Sequence, residues 1–218
     1  MFRRTARSLF ALTALVACAT AAQSAALTVS SYDMPNGDGQ AHGGTYNYWD
    51  GTYTGSGDTT VDGSFLQGGT GALTDGVIAT DPWNDVSNPA GVGPYVGWHS
   101  SPTITFHFAN PVTINTIRLY VDDSNFGGVT APSAVVVNGT SFDNSSYPLY
   151  FPGPQTITLA GVDIVGNSAT LTLVDSSTWV FLSEVQFDGL VTTVPEAGNL
   201  AMMLAGLGLL GWASRRRA

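Results

Sequence analysis

Carboxylates and aromatic rings are the residues with which this chain can do chemistry. Between Leu27 and Val194 stand fourteen Asp and one Glu, Glu184, against a single cation, Arg118. A glycoside hydrolase needs two carboxyl groups flanking the scissile bond, so here the pair would come from two Asp or from an Asp with Glu184. Three histidines, His42, His99 and His107, are too scattered for a zinc site, whose ligands recur at short spacing. The chain contains no G-x-S-x-G, phosphate-binding loop or H-E-x-x-H motif. Asp122-Asp123 reads as an acidic turn after a strand. Sugars dock on flat aromatic faces flanked by polar groups, and the rings placed for that in loops are Tyr48, Trp49, Trp83 and Tyr95, with Phe126, Tyr147 and Tyr150 behind them. Trp98 and Trp179 are assigned to packing.

These groups must be positioned by short strands. Period-two alternation of apolar residues, the mark of a half-buried strand, appears at Ile104/Phe106/Phe108, Ile117/Leu119/Val121, Ile157/Leu159, Leu171/Leu173 and Val185/Phe187. Turn residues separate these runs at Phe126-Gly127-Gly128, Asn138-Gly139, Pro152-Gly153-Pro154 and Gly166-Asn167. No helical period of useful length intervenes. Apolar residues make 44% of the chain and charged ones 11%, and Gly 26 with Pro 11 supplies dense turns without a collagen period. The expected fold is all-β: a single antiparallel β-sandwich of the jelly-roll kind over residues 27–191. The segment from Ser30 to Asn88, rich in Gly, Asp and Thr, reads as early strands and long loops of that same domain. A body of this length buries roughly 70% of its unfolded surface.

Charge excludes one class of partner. The net charge is -9, and all seven basic residues are Arg, six of them at the two ends: Arg3, Arg4, Arg7 and Arg215, Arg216, Arg217. Phosphate binding needs clustered cations, so the acidic body is not a nucleic-acid binder.

Both ends read as targeting segments. Residues 1–26 combine a basic start, an apolar run from Leu9 to Ala17 and a small-residue tract with several cleavage points, which is the pattern of a secretory signal peptide. Leu15-Val16-Ala17-Cys18 has the form of a bacterial lipobox, which makes Cys18 a candidate for lipidation; the alternative discards Cys18 with the leader and leaves a mature chain without cysteine. Residues 192–218 run from Val194-Pro195-Glu196-Ala197 through an apolar helix expected over 199–213 to the Arg215–Arg217 cluster. The eighteen uncharged residues from Ala197 to Ser214 sit at the lower limit for crossing a bilayer of about 30 Å. Arg on the cytoplasmic side would leave the body outside.

This tail resembles the PEP-CTERM sorting signal of exopolysaccharide-producing Gram-negative bacteria, with Ala197 where a second Pro is commonest. The resemblance implies a chain held transiently in the inner membrane, processed there by an exosortase and sent to the cell surface or extracellular matrix. An unprocessed single-span anchor would give the same topology. From Leu73 onward the body resembles the galactose-binding-like jelly rolls, the discoidin and carbohydrate-binding-module superfamily. Leu73-Thr74-Asp75-Gly76 looks like its early L-x-D-G turn, Val96-Gly97-Trp98 and Pro102–Phe108 like its Trp-then-strand segment, Pro111–Val121 like the next strand, and Trp179–Phe187 with Leu182-Ser183-Glu184-Val185 like its closing strand. The bracketing cysteines of discoidin domains are missing. The resemblance implies a structural Ca²⁺ at Asp75 and Glu184, completed by carbonyl oxygen near Thr80. The function it implies is noncatalytic adhesion to extracellular polysaccharide; the alternatives are a structural matrix protein without a specific ligand and a secreted glycan-active enzyme.

Overall fold

A computed structural model of the chain describes residues 24–40, 46–86, 89–143, 145, 152–175, 178–192, 204–207, 209, 212 and 214–216. Cys18, the motif Val194-Pro195-Glu196, Arg217, His42, Tyr147 and Tyr150 lie outside these residues, as does most of the leader expected over 1–26. The elements in chain order are β1 (Ala25–Leu27), β2 (Ser31–Pro35), β3 (Gly39–Gln40), β4 (Tyr46–Asn47), β5 (Phe65–Gly69), the single turn α1 (Trp83–Val86), β6 (Val96–Trp98), β7 (Thr103–Asp122), β8 (Ala134–Val137), β9 (Thr140–Asp143), β10 (Pro154–Val174) and β11 (Val180–Val191).

Two long strands organise the domain. β7 and β10 pair antiparallel from Pro154↔Asp122 to Thr172↔Thr103, with register shifts between Ala160 and Ile164 and between Gly166 and Ser168. The alternating segments that the sequence separates at 104–108 and 117–121 are therefore halves of one strand, and Gly166-Asn167 is a bulge inside β10 instead of a turn. A bulge bends and twists the strand without ending its pairing. The principal sheet runs β1-β11-β7-β10-β8-β9, with β2 joining the first half of β7, β5 joining β2 and β6 joining β11. Every ladder is antiparallel. Asn138 (φ 46°) and Gly139 (φ 87°) close the β8–β9 hairpin, an Asn-Gly pair suited to two consecutive positive φ angles.

Bending lets the two halves of the sheet close over one core. Phe106 and Phe108, on the first half of β7, lie 5.0 and 5.2 Å by ring centroid from Phe187 on β11, which pairs with the second half. The inward positions Ile104, Ile117, Leu119, Ile157, Leu171, Leu173 and Val185 are all buried between them. This is an antiparallel two-layer arrangement consistent with a jelly roll.

The Gly- and Asp-rich N-terminal segment is tied to that core by a buried polar knot. Tyr32, Met34, Tyr53 and Leu66 pack in the main cluster. Asp50, fully buried, accepts hydrogen bonds from the Tyr32 hydroxyl, from Thr52 Oγ1 at 3.1 Å and from the Ala72 N–H at 3.1 Å. The Tyr53 hydroxyl donates to the Tyr32 carbonyl and accepts the Gly69 N–H at 2.8 Å. Asn36, also buried, accepts the Gly37 and Asp50 N–H groups, both at 2.9 Å. Burial pushes the Asp50 carboxyl above its ordinary value, against the donors around it.

At the two ends the boundaries differ from the sequence reading. Ala25 and Ala26, expected to leave with the leader, form β1 with Leu27. Of the apolar helix expected over 199–213, residues 204–207, 209 and 212 are described and helical, with Leu204, Leu207, Leu209 and Trp212 exposed and the Arg216 guanidinium 3.9 Å over the Trp212 ring. Among the described residues no helix is long and apolar enough to cross a membrane.

Candidate functional site

A polar groove lies along the outer side of β11. On that side β6 covers Val180–Leu182 and β1 covers Phe187–Gly189, leaving a gap between them. The Leu73–Gly76 turn fills it: the Val185 N–H donates to the Leu73 carbonyl at 2.9 Å. Its geometry follows from its residues. Thr74 N–H donates to Gly71 O at 3.0 Å, Asp75 Oδ1 accepts the Val77 N–H at 2.8 Å, and Gly76 takes φ +82°, which a side chain would resist.

Glu184 sits under this turn. It stands opposite Tyr120 on the face away from Val185 and Phe187, a position that would be solvated without the turn, and is only 4% exposed. Its Oε2 accepts the Gly76 N–H at 3.2 Å, and Gln186, itself accepting from the Tyr120 hydroxyl at 3.0 Å, hydrogen-bonds it as well. Burial lifts its carboxyl to about 7; the Asp75 charge adds to the rise while Gly76 and Gln186 oppose it. A groove of about 400 Å³ opens here, walled by Thr74–Gly76 on one side and Ala26–Val29 on the other, with Glu184–Asp188 as its floor.

Of the three residues nominated for calcium, the fold brings two together. Asp75 and Glu184 share the groove with Thr74, whose hydroxyl oxygen is buried and has no hydrogen-bond partner. Thr80 does not belong to it: the chain turns away where Ala79 N–H meets Ser183 Oγ at 3.4 Å, and the exposed Thr80 hydroxyl donates to Asp81 at 2.9 Å. Calcium takes six to eight hard oxygens. Two carboxylates and an orphaned hydroxyl fit such an ion in kind, with carbonyl and water oxygens needed to complete it. Among the described residues no group of three or more His, Cys, Asp or Glu comes together. Arg118 does not neutralise Glu184, because it is paired with Asp188.

The aromatic candidates resolve differently from their reading as loop faces. Tyr48, Trp83 and Tyr95 are 3%, 5% and 4% exposed and form a second apolar cluster with Ala79, Val129, Trp179 and Phe181. The reason is Phe181, at the start of β11, against which each of these loops folds: Tyr48 lies 4.5 Å, Trp83 5.9 Å and Tyr95 6.0 Å from it by ring centroid. Asp122 anchors the cluster, accepting the Trp83 N–H at 2.6 Å and the Ser124 N–H at 2.7 Å, so the acidic turn has a packing role. Trp49 is half-buried, its indole N–H donating to Asp62 at 2.7 Å. Trp98 and Trp179 are buried, as their assignment to packing expects.

Of the described aromatic candidates one, Phe126, remains mostly exposed; Phe65, on β5, is equally exposed at 61%. Phe126 is 60% exposed and lies on the buried Trp83 indole, centroids 6.0 Å apart and planes at 25°. Its loop is fixed: Asn125 N–H donates to Val129 O at 3.0 Å, Val129 N–H to Phe126 O at 3.2 Å, and Trp83 Nε1 to Phe126 O at 3.2 Å. Gly127 (φ +63°) must be glycine twice over, since a Cβ there would come within 2.8 Å of the Trp83 ring. Beside it the exposed Asn84 and Asp85 stand on α1, and Gly128 O accepts the Trp179 N–H at 3.0 Å, joining the loop to the Thr178–Trp179 segment. His99 packs on Trp179 and bonds Thr178 O at 3.2 Å on this same rim, whereas His107 pairs with Asp33 at 2.9 Å on the sheet face. Nothing in the sequence separated Phe126 from the other loop aromatics; its exposure depends on Gly127 and on where Trp83 is buried.

The fold is an antiparallel β-sandwich with an acidic groove along its last strand and an aromatic cluster beside the start of that strand. The family model described as discoidin domain-containing receptor 1/2, DS-like domain, matches residues 28–189, and the chain belongs to this family. The model of the PEP-CTERM protein-sorting motif matches residues 193–217. Among solved structures, the C-terminal domain of a chitobiase from Bacteroides fragilis is similar at 14% identity and TM-score 0.42, over 78% of this chain and 100% of that one. A fucolectin from striped bass (Morone saxatilis) serum is similar at 12% identity and TM-score 0.35, over 74% of this chain and 72% of that one. SpGH29 is similar at 14% identity and TM-score 0.33, over 56% of this chain and 24% of that one, so this chain spans about a quarter of its length. No curated protein matches the chain.

Proposed function

We propose that the body is a noncatalytic carbohydrate-binding module, delivered by its sorting tail to the cell surface or exopolysaccharide matrix of a Gram-negative bacterium. The observation that carries the reading is Phe126, an outward ring held rigid from behind by Trp83. Such a ring offers a saccharide a flat apolar face backed by Trp83, and the exposed Asn84 and Asp85, which follow Trp83 on α1, are the polar partners assigned to it in this reading. Family membership over 28–189, directly followed by the sorting motif at 193–217, supports both halves of the proposal. In this reading Asp75 and Glu184 hold a structural Ca²⁺, with Thr74 in place of Thr80. The apolar segment 199–213 holds the precursor in the inner membrane with Arg215–Arg217 on the cytoplasmic side until an exosortase acts at Val194-Pro195-Glu196.

Calorimetric titration of the exported protein against a panel of neutral saccharides tests the ligand site. Phe126→Ala should weaken binding about tenfold, equivalent to about 1.4 kcal/mol. Because the ring is mostly exposed already, the fold should lose only about 1 kcal/mol. Unchanged affinity in a folded Phe126→Ala protein would remove this loop from the site.

A further inference from the structure

Two of the three residues of the first strand, Ala25 and Ala26, lie inside the segment that the leader was expected to carry away. Ala25, Ala26 and Leu27 pair with Gly189, Asp188 and Phe187, and Leu27 is buried in the main core at 9% exposure. Past β1 the chain forms a wall of the groove with Thr28 and Val29, then is pinned where Ser30 donates through its N–H (2.8 Å) and its hydroxyl (2.9 Å) to the His107 carbonyl. Upstream, the tract Ala19-Thr20-Ala21-Ala22-Gln23-Ser24-Ala25-Ala26 offers small residues at the two positions that a signal peptidase reads in more than one frame, notably Ala19/Ala21 and Ser24/Ala26. The two frames have opposite structural consequences. A cut after Ala26 deletes two of the three residues of β1 and leaves Leu27, still facing Phe187, as a free terminus. Terminal residues stay ordered only when tied down by pairing or docking. Such a cut would also unpair the backbone of Asp188 and Gly189 and loosen the groove wall across from Asp75 and Glu184. A cut in the Ala19/Ala21 frame preserves all of this.

We propose that export processing cuts upstream of Ala25, so that the mature protein keeps Ala25–Leu27 as the strand that closes the side of β11. The leader is shorter than its pattern alone implies, and the choice of frame determines whether the Asp75–Glu184 groove has its second wall. This inference rests on export and is independent of what the body binds.

The test expresses the full chain with its own leader in an exporting Gram-negative host and determines the first residue of the exported protein by intact mass and N-terminal peptide sequencing. A first residue at or before Ala25, including an acylated Cys18, supports the proposal; a first residue of Ala26 or Leu27 overturns it. A second arm separates frame choice from folding. Ala26 is exposed, so Ala26→Leu removes the small residue required by the downstream frame while leaving the pairing possible. The proposal expects the same mature terminus and the same processing rate in this variant, and accumulation of precursor or a shifted terminus would contradict it. If no processed form is exported at all, the leader itself fails, and the proposal with it, while the glycan-binding reading stands or falls on its own titration.

Discussion

The buried knot around Asp50 makes a demanding prediction, because it is what joins the irregular N-terminal segment to the sandwich. Asp50→Ala removes the acceptor of the Tyr32 hydroxyl, the Ala72 N–H and the hydroxyl and N–H of Thr52, and of these Thr52 is exposed and can turn to water. The Tyr32 hydroxyl and the Ala72 N–H cannot. A buried polar group left without a partner costs about 1–3 kcal/mol, so the two together should cost roughly 4 kcal/mol. For a domain of this size each kcal/mol moves Tm by about 2–4 °C, which places the loss at roughly 8–16 °C. Tyr32→Phe removes one donor and leaves a carboxyl oxygen bare, and should cost about 2 kcal/mol. The double variant Tyr32→Phe/Asp50→Ala should then be less destabilised than the sum of the singles by about 1–3 kcal/mol, since each single orphans part of the other. Denaturant melts of the purified protein measure all four corners of this cycle. A cost below about 1 kcal/mol for Asp50→Ala, or strict additivity, would refute the argument that this knot holds the segment in place.

Acid should stabilise this protein, in contrast to the common pattern. Burial raises the Asp50 and Asp122 carboxyls above their ordinary value of 3.8 in the folded state. Between the unfolded and the folded values the native state holds more protons, so their contribution is full below about 3.8 and is lost as pH rises through the folded values. Tm should therefore fall as pH rises above about 4, and Asp50→Asn should flatten the slope; a Tm that rises with pH there would be the wrong sign. Calcium in excess should raise Tm relative to EDTA, the stabilisation being about 2.7 kcal/mol at a hundredfold over Kd. Glu184→Gln should abolish that rise and Thr80→Ala should leave it intact, whereas a rise that survives Glu184→Gln would move the metal elsewhere.

How much of this was legible in the sequence differs between strands and loops. Inward residues such as Ile104, Phe106, Leu119 and Leu171 announce themselves, because strand burial imposes a period of two that the order of residues alone reveals. The continuity of β7 and β10 does not, since Gly166-Asn167 has the same composition whether it bulges or turns, and only pairing across β7 decides. Glu184 was readable as the closing-strand carboxylate, but its burial comes from the Leu73–Gly76 turn, more than a hundred residues earlier. Tyr48, Trp83 and Tyr95 were misplaced for a related reason. A ring in a Gly-rich loop looks exposed until Phe181, far along the chain, gives the loop something to fold against. Asp50 carried no signal at all, being one of fourteen Asp in the body with nothing local to mark it as the buried one.

The claim at the centre of this account is that the exported body binds glycan. The most direct measurement is affinity retention of the exported protein on the immobilised exopolysaccharide of its own host, with Phe126→Ala run beside it in Ca²⁺-containing buffer. Specific retention, competed by soluble polysaccharide and lost in Phe126→Ala while the melt of the variant stays close to that of the parent, is the predicted result. A folded protein that passes through unretained would contradict it, and would leave an acidic matrix protein without a specific ligand as the better description.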